Sequence, residues 1–363
     1  MKAITIGGAM VDTIAIIESD RIERMAMLNA DTSFLLLEEG RKTEALDVST
    51  HCGGGAINTA VAMARLGFDV STLVKLGRDA RADFILARLS AEGISGRWVL
   101  RDAKAPTGAS VIVSSHDRNA AVFTFRGANT LLEPADIVDE AFETDLVYVS
   151  SLSNRSAECF PHIIKKAKAA GALVAVNAGV RQLSVRGGAF LDNLSSIDVL
   201  AINRAEADAL VPGLVAKFGE GGTALALEAG EQPPPLLARG LIGGGYEMSL
   251  PAFLHSLRAL GTRYVMLTDG HGGAFVCADG GIHFCPAAEA TVASTAGAGD
   301  SMASTFAALI ALGRPSDVAL KAATLNAASV VSYIDTQTGL LRRDALEGRL
   351  AARCSLQLRK WRL

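Results

Sequence analysis

The feature that most constrains this chain is the alternation of short apolar runs with helix-period segments along its 363 residues. The apolar runs predict strands at residues 2–6, 71–76, 146–149, 173–177, 198–202, 264–268 and 273–277. Helical periodicity predicts helices at 56–66, 80–91, 156–170, 205–210, 254–260, 301–312 and 316–331. Strands that are apolar throughout are typical of parallel sheets with both faces buried. We therefore predict an α/β protein, a three-layer α/β/α sandwich with a mainly parallel central sheet, in a single domain over 1–363.

Three regions depart from this alternation. The first residues, up to about residue 17, are interpreted as a first strand followed by a turn. Hairpin-like strands with polar tips occur within 32–51 and 97–126, so we predict a small β-sheet lid built from about 13–51 and 97–126. Residues 213–262, which contain three consecutive prolines and two glycine clusters, are predicted to be an insertion within the core domain.

Charge and composition narrow the functional classes. The chain has 35 Lys and Arg against 38 Asp and Glu, which creates no general attraction for nucleic acid or an anionic membrane. Its longest apolar runs fall short of the roughly 20 residues that span a bilayer. The 5 cysteines are widely spaced, which favours a reducing, cytoplasmic location. The basic, leucine-spaced tail favours a docking helix over a nucleic-acid site. We expect a small-molecule partner, with no nucleic acid and no membrane.

A first glycine cluster precedes a predicted helix. Gly53, Gly54 and Gly55 come just before Asn58, which lies in the first turn of that helix. Glycines at this place let backbone amides approach a ligand, and a helix N-terminus favours a polar or anionic group. The alternative is a dinucleotide-binding turn, whose glycine spacing is similar but which should follow the first strand closely.

A second cluster, Gly297, Ala298 and Gly299, leads into Asp300 and another predicted helix. Small residues at a helix N-terminus expose amides that can neutralise the charge on a phosphoryl group during its transfer. A carboxylate at the same place could accept the proton of an attacking hydroxyl. The alternative is that Asp300 only caps the helix. The chain has no Gly-Lys dipeptide, which excludes a P-loop, and it has no HExxH motif.

Together, GGGAIN at 53–58 and GAGD at 297–300 resemble the two signature regions of the PfkB or ribokinase-like carbohydrate kinases. Further matches follow in the expected order and cover nearly the whole chain. They are Asp12, the GAN of 127–129, Asn177 with Arg181, the NxxE of Asn203 and Glu206, Thr268 with Gly270, and Asn326. The resemblance implies a ribokinase-like fold and transfer of a phosphoryl group from ATP, with Mg²⁺, to a sugar or sugar-like polyol. It also implies a homodimer through the lid strands.

The resemblance also implies a role for each matching residue. Asp300 would be the general base, and Gly297, Ala298 and Gly299 would form the anion hole. The acceptor hydroxyls would be bound by Asp12, Gly53, Gly54, Asn58 and Arg181. The nucleotide would contact Asn203, Thr268, Gly270, Gly273 and Asn326. Magnesium would be held by Glu206 and Asn203 through water, in keeping with the few direct protein ligands Mg²⁺ needs. Without the resemblance, Glu206 would be interpreted as a solvent-facing helix residue.

Two departures from the family pattern matter. Ser294 and Ala296 stand where relatives usually have the Asp and Thr of a monovalent-cation site, so activation by such a cation is in doubt. Asp269 places a carboxylate in the expected nucleotide loop, which is unfavourable beside phosphates unless it points away or faces a metal. Two other functions remain open. One is a nucleoside kinase of the same superfamily, and the other is a non-catalytic sugar-sensing relative.

Overall fold

The structure is a computed structural model that describes residues 1–18, 23–26, 33–36, 40, 42–115, 120–221, 225, 231–278, 280–352 and 356–362. At 23–26, 33–36 and 115 only the backbone is described. Parts of the predicted lid and of the 213–262 segment therefore lie outside the described residues, as does Cys354.

The strands and helices follow one another in an order close to the predicted alternation. The strands are β1 (Lys2–Ile6), β2 (Met10–Ile17), β3 (Glu23–Ala26), β4 (Ser33–Leu36), β5 (Ala45–Gly53), β6 (Asp69–Leu76), β7 (Val99–Arg101), β8 (Gly108–Ser115), β9 (Ala120–Phe125), β10 (Leu146–Val149), β11 (Leu173–Val176), β12 (Val199–Asn203), β13 (Leu241–Gly243), β14 (Tyr246–Met248), β15 (Tyr264–Thr268), β16 (Ala274–Ala278), β17 (Gly281–Cys285) and β18 (Arg359–Trp361). The helices are α1 (Gly55–Arg65), α2 (Ala80–Ala91), α3 (Phe160–Ala169), α4 (Val180–Leu191), α5 (Arg204–Phe218), α6 (Pro235–Arg239), α7 (Leu250–Ala259), α8 (Ala298–Ala311), α9 (Ser316–Val330) and α10 (Arg343–Ala351).

The main sheet of the described chain has ten strands, in the order β18-β17-β16-β15-β12-β11-β10-β1-β6-β7. The strands from β7 through β15 pair in parallel. Strands β16, β17 and β18 continue the sheet by antiparallel pairing. The predicted α/β class with a mainly parallel sheet is confirmed.

Helices cover both faces of this sheet because alternate strand residues point to opposite sides. In β1, Ile4 and Ile6 pack into the core formed with α3, α4, α5 and α7. Ala3 on the same strand joins the core formed with α1, α2, α8, α9 and α10. The strands are therefore apolar on both sides, which is the pattern that the sequence showed.

A second, four-stranded sheet forms the predicted lid, in the order β5-β2-β8-β9. Strand β2 lies in its middle, antiparallel to β5 and parallel to β8. The first strand and turn expected from the sequence correspond to β1 and to the residues between Ile6 and Met10, after which β2 enters the second sheet. This register places Asp12 beside His51 and Ser110.

The 213–262 segment contains regular structure at both ends. Helix α5 continues to Phe218, and the β13–β14 hairpin and α7 follow α6. Phe253 and Leu257 of α7 are fully buried in the main core. Whether the part between them is an insertion stays a prediction.

The C-terminal tail is a docking helix only in its first part, where Leu346 of α10 is buried in the core formed with α1, α8 and α9. Helix α10 ends at Ala351, and the chain then adds β18 to the edge of the main sheet. In β18, Trp361 is buried while Arg359 and Lys360 are exposed, so these two basic residues lie on an edge strand, whereas Arg343 and Arg349 lie on α10. Within the described residues, no helix has the length and apolarity required to cross a bilayer.

Candidate active site

Two adjacent pockets lie at the carboxyl ends of the parallel strands, where ligands bind in open α/β sheets. The first, here called the β1–β10 pocket, is lined by the segments that follow β1 and β10. The second, the β12–β15 pocket, is lined by the ends of β12 and β15 and the start of α8. Asn177 and Asp300 line both pockets. A group that passes from one pocket to the other would therefore pass Asp300.

Asp300 lies in the first turn of α8 and is held by the first turn of α1. The Nδ2 of Asn58 donates a hydrogen bond to Oδ2 of Asp300 at 2.8 Å. The Oδ1 of Asn58 accepts from Thr336 Oγ1 at 2.8 Å and from Gln337 Nε2 at 3.1 Å. Because two donors face Oδ1, the amide of Asn58 can point only its NH₂ group at Asp300. Sequence reasoning missed Thr336 and Gln337, since they belong to no recognised motif.

Burial raises the pKa of Asp300, the nearby charge of Asp12 adds to this, and the hydrogen bond from Asn58 opposes it. A raised pKa makes a carboxylate a stronger base, provided that it stays ionised at the working pH.

The start of α8 has the geometry of an anion site. Gly297 has φ of +77°, a left-handed conformation, and a Cβ on it would lie 2.7 Å from Cβ of Thr336. Only glycine meets both conditions at low cost. Ala298, Gly299 and Asp300 are the first helical residues, whose amides have no acceptor within the helix. Gly299 is exposed and, like Gly297, lines the β12–β15 pocket.

The first glycine cluster shapes the other side of Asp300. A Cβ on Gly53 would lie 1.8 Å from Asp12 Oδ2, and one on Gly54, whose φ is +92°, would lie 2.5 Å from the carbonyl oxygen of Gly8. Gly55 lines the β1–β10 pocket, where a Cβ would lie 2.8 Å from Ser150. These glycines therefore let the lid strands and the start of α1 approach the pocket closely.

Asp12 is buried in the lid strand β2 and accepts a hydrogen bond from Ser110. Burial raises its pKa, and the hydrogen bond opposes this. It is close enough to Asp300 for its charge to act there, although neither Asp12, Gly53 nor Gly54 lines the two pockets described above.

Glu206 and Asn203 form a reciprocal capping box at the start of α5. The backbone amide of Asn203 donates to Glu206 Oε2 at 2.8 Å, and the amide of Glu206 donates to Asn203 Oδ1 at 2.9 Å. Glu206 is only 7% exposed and lines the β12–β15 pocket. Burial raises its pKa to about 7, and the charge of Asp300 adds to this. The interpretation of Glu206 as a solvent-facing residue is therefore wrong.

The loop after β15 carries the other residues expected near a nucleotide. Thr268 lines the β12–β15 pocket, while Gly270 and Gly273 adopt positive φ of +55° and +94° in the following turn. Asp269 faces two arginines: its Oδ1 lies 3.3 Å from Arg239 and 3.8 Å from Arg204. Its charge is therefore compensated within the protein.

Two further residues implied by the resemblance do not line either pocket. Asn326 is fully buried; its Nδ2 donates to Thr305 Oγ1, and its Oδ1 accepts from the amide of Leu341. Both polar groups of its side chain therefore have partners inside the protein, and its position near a bound nucleotide stays a prediction. Arg181 is exposed near the start of α4 and does not line the β1–β10 pocket, and its binding of the acceptor stays a prediction.

Several lining residues were not proposed as site residues from the sequence. They are Gly7 and Gly8 after β1, Ser150 to Ser153 after β10, and Arg126 with Asn129 at the exit of the lid. A run of small or polar residues directly after a buried strand is the signal that could have identified most of them.

This chain matches a family model, a curated relative and several solved structures. Residues 22–231 and 247–343 match the family model of the pfkB family carbohydrate kinases. Ribokinase of Staphylococcus aureus (strain COL) is 29% identical over 164 residues, which are 44% of this chain and 51% of that protein. The chain thus aligns with about half the length of that relative.

Solved structures share the whole fold. Ribokinase of Arabidopsis thaliana, complexed with ribose and ATP, has a TM-score of 0.70 at 20% identity and covers 96% of this chain and 98% of its own. The nucleoside kinase of Burkholderia thailandensis, in complex with inosine, has a TM-score of 0.69 at 19% identity, with 96% and 97% covered. The ribokinase-like fold expected from the sequence is confirmed.

Proposed function

Because this chain belongs to the pfkB family of carbohydrate kinases, we propose that it transfers the γ-phosphoryl group of ATP to a hydroxyl of a sugar or sugar-like polyol. The observation that carries the proposal is the position of Asp300, which lines both pockets beside the start of α8. The acceptor would occupy the β1–β10 pocket, and the phosphates would occupy the β12–β15 pocket.

In this mechanism Asp300 accepts the proton of the attacking hydroxyl. Asn58 holds the carboxylate in place through the 2.8 Å hydrogen bond to Oδ2, which leaves Oδ1 for the hydroxyl. The amides of Ala298 and Gly299 and the dipole of α8 stabilise the negative charge that develops on the transferring group. Asp12 of the lid would bind other acceptor hydroxyls, and the lid would exclude water from the reaction.

The residues of the β12–β15 pocket fit a hydrated Mg²⁺. No cluster of three or more His, Cys, Asp or Glu that could hold a metal exists among the described residues, so a complete protein cage is not the way this part of the chain would bind it. Magnesium commonly keeps several waters and takes one or two carboxylates plus substrate phosphates. Glu206 would hold it through water, with Asn203 beside it, and the bound ion would neutralise phosphate charge.

The decisive experiment combines a substrate panel with Asp300→Asn. ADP release is measured with sugars, sugar phosphates and nucleosides for the wild type and the variant. We expect turnover with a sugar-type acceptor and a fall in kcat of at least about 100-fold in the variant, the range typical of general-base catalysis. Asp83→Asn is the matched control, since Asp83 also lies in the first turn of a helix but is exposed.

The outcomes separate the alternatives. A kcat within about tenfold of wild type in Asp300→Asn would refute the role of the base. Turnover of nucleosides alone would assign the acceptor to that class, to which the kinase of Burkholderia thailandensis belongs. No turnover with any acceptor would favour a sugar-sensing protein.

A further inference from the structure

One positively charged side chain lines the β1–β10 pocket, and the mechanism above does not use it. Arg126 follows the last lid strand, β9, and reaches the wall that also contains Asp300 and the serines after β10. Its Nη1 donates to Ser153 Oγ at 2.9 Å. A guanidinium carries five N–H donors, so most of its hydrogen-bonding capacity is not used by this contact.

The backbone around Arg126 is fixed, which holds the side chain at the pocket. Gly127 has φ of +50°, and a Cβ on it would lie 2.2 Å from the carbonyl oxygen of Pro106. The amide of Ala128 donates to that same carbonyl at 2.9 Å. The amide of Asn129 donates to the carbonyl of Arg126 at 3.1 Å. The base of the side chain is therefore built into the site rather than carried on a free loop.

The charge of Arg126 has no acidic partner in the described part of the chain. Arg65 gives the comparison, because it is also partly buried and its guanidinium contacts both carboxylate oxygens of Glu92, at 2.7 and 3.2 Å. No carboxylate among the described residues lies within 4.0 Å of the guanidinium of Arg126. A partly desolvated cation is costly unless a charged partner compensates it.

We propose that the acceptor is an anionic polyol, whose carboxylate or phosphate is bound by Arg126 while its reactive hydroxyl lies at Asp300. The proposal rests on the proposed kinase function. Arginine binds carboxylate and phosphate with paired N–H donors, and this geometry also fixes the orientation of the acceptor. Ser151 lies in the same pocket and adds a hydroxyl to its wall, whereas the hydroxyl of Ser150 donates to the carbonyl of Ile6. A neutral sugar would leave the guanidinium uncompensated.

The test compares anionic acceptors with related neutral sugars, and the Arg126→Gln variant separates the effect of charge from the other differences within each pair. The probes are gluconate against glucose, ribonate against ribose, and ribose 5-phosphate against ribose. The first quantity measured is the ratio of kcat/KM for the anionic member of each pair to that for the neutral member. The second is the Kd of each member, measured by calorimetry. We expect at least one anionic member to be preferred at least tenfold. Arg126→Gln should lower that ratio by about 10- to 100-fold, the range for a hydrogen bond to a charged group. Arg126→Lys should restore part of it.

Arg155→Gln is the matched control, since Arg155 is two residues beyond Ser153, is exposed and pairs with Glu133 away from the pocket. It should leave the ratio unchanged. The two aldonates test for a sugar acid as the acceptor, and ribose 5-phosphate tests for a sugar phosphate.

The proposal is overturned if no anionic member is preferred in any pair by turnover or by binding. It is also overturned if the preference survives in Arg126→Gln. In that case, if neutral sugars are phosphorylated by the wild type but not by Asp300→Asn, the proposed kinase function still stands. Conversely, an anion preference in binding that depends on Arg126, without any turnover, would refute the kinase function and not the anionic ligand.

Discussion

Replacing Glu206 by Gln is expected to stabilise the protein above neutral pH. Burial raises the pKa of this carboxyl from 4.5 to about 7, so the folded state disfavours its charged form. At about 1.4 kcal/mol per pKa unit, the cost of keeping Glu206 ionised in the folded state is roughly 3 kcal/mol. The glutamine stays neutral at every pH, and its oxygen can still accept from the amide of Asn203.

The sign of the pH dependence follows from the raised pKa. Below pH 4.5 Glu206 is protonated in both the folded and the unfolded state, so the wild type and Glu206→Gln should be equally stable. As the pH rises from 4.5 to about 7, the unfolded chain loses the proton first, and the wild type loses stability relative to the variant. Above about pH 7 the difference is constant.

The assay is thermal unfolding of both proteins in EDTA at several pH values. An unfolding entropy of about 2.1 cal/mol/K per residue gives roughly 0.8 kcal/mol/K for this chain, so the Tm of the variant should exceed that of wild type by about 4 °C at pH 8. Turnover should fall rather than rise, because the variant lacks the negative charge of Glu206 that we expect to hold Mg²⁺. Its half-maximal activity should need a higher Mg²⁺ concentration.

Glu92→Gln is the matched control with the opposite sign. The side chain of Glu92 is also only 7% exposed, and although burial raises its pKa, the ion pairs with Arg65 and Arg88 help to hold that pKa below the ordinary value. That variant should be less stable than wild type at pH 8. The reasoning about Glu206 is refuted if Glu206→Gln has no higher Tm than wild type at pH 8, or if the gain is the same at pH 4 and pH 8.

Three further substitutions test the acceptor side and the lid. Gly53→Ala would place a Cβ 1.8 Å from Asp12 Oδ2, so the carboxylate of Asp12 would have to move. We expect the KM for the acceptor to rise at least about tenfold, while the KM for ATP changes little. Thr336→Val removes one of two donors to Asn58, so kcat should fall about fivefold while both KM values stay within twofold, by the roughly 1 kcal/mol of one hydrogen bond. Phe123 is 61% exposed on the lid, where an apolar side chain could form part of the expected dimer interface. Phe123→Glu should therefore convert the homodimer to a monomer, as measured by light scattering. A wild type that is itself monomeric would contradict the expected dimer.

The sequence predicted the parallel strands because their apolar runs report burial on both faces. Helix α4 was missed for a physical reason: it contains Gly187 and Gly188, and Arg186 has a non-helical φ of −127°. Local propensity therefore opposes the helix, and packing of Leu183 and Phe190 in the core decides the outcome. Strand β18 was missed because its three residues carry too short a pattern, and its pairing with β17 joins distant parts of the chain.

The site was predictable where chemistry and backbone shape coincide in one short motif. The start of α8 needs glycine and an acid within four residues, and the sequence shows this directly. The support of Asn58 by Thr336 and Gln337 spans more than 270 residues, so only the packed structure reveals it. The buried side chain of Asn326 donates to Thr305, so a match of residue type does not by itself establish a ligand contact.

The distribution of charge between the two pockets explains how one site could handle two anionic ligands. Glu206 and Asp300 both raise the free energy of a bare phosphate in the β12–β15 pocket, so a nucleotide there must bring its own cation. The β1–β10 pocket instead contains the guanidinium of Arg126 and can bind an anion without a metal. Asp300 lies at the boundary, where the charge of Asp12 raises its pKa from the acceptor side. A cation bound on the Glu206 side would lower that pKa, which would keep Asp300 ionised and able to accept a proton once the nucleotide is bound.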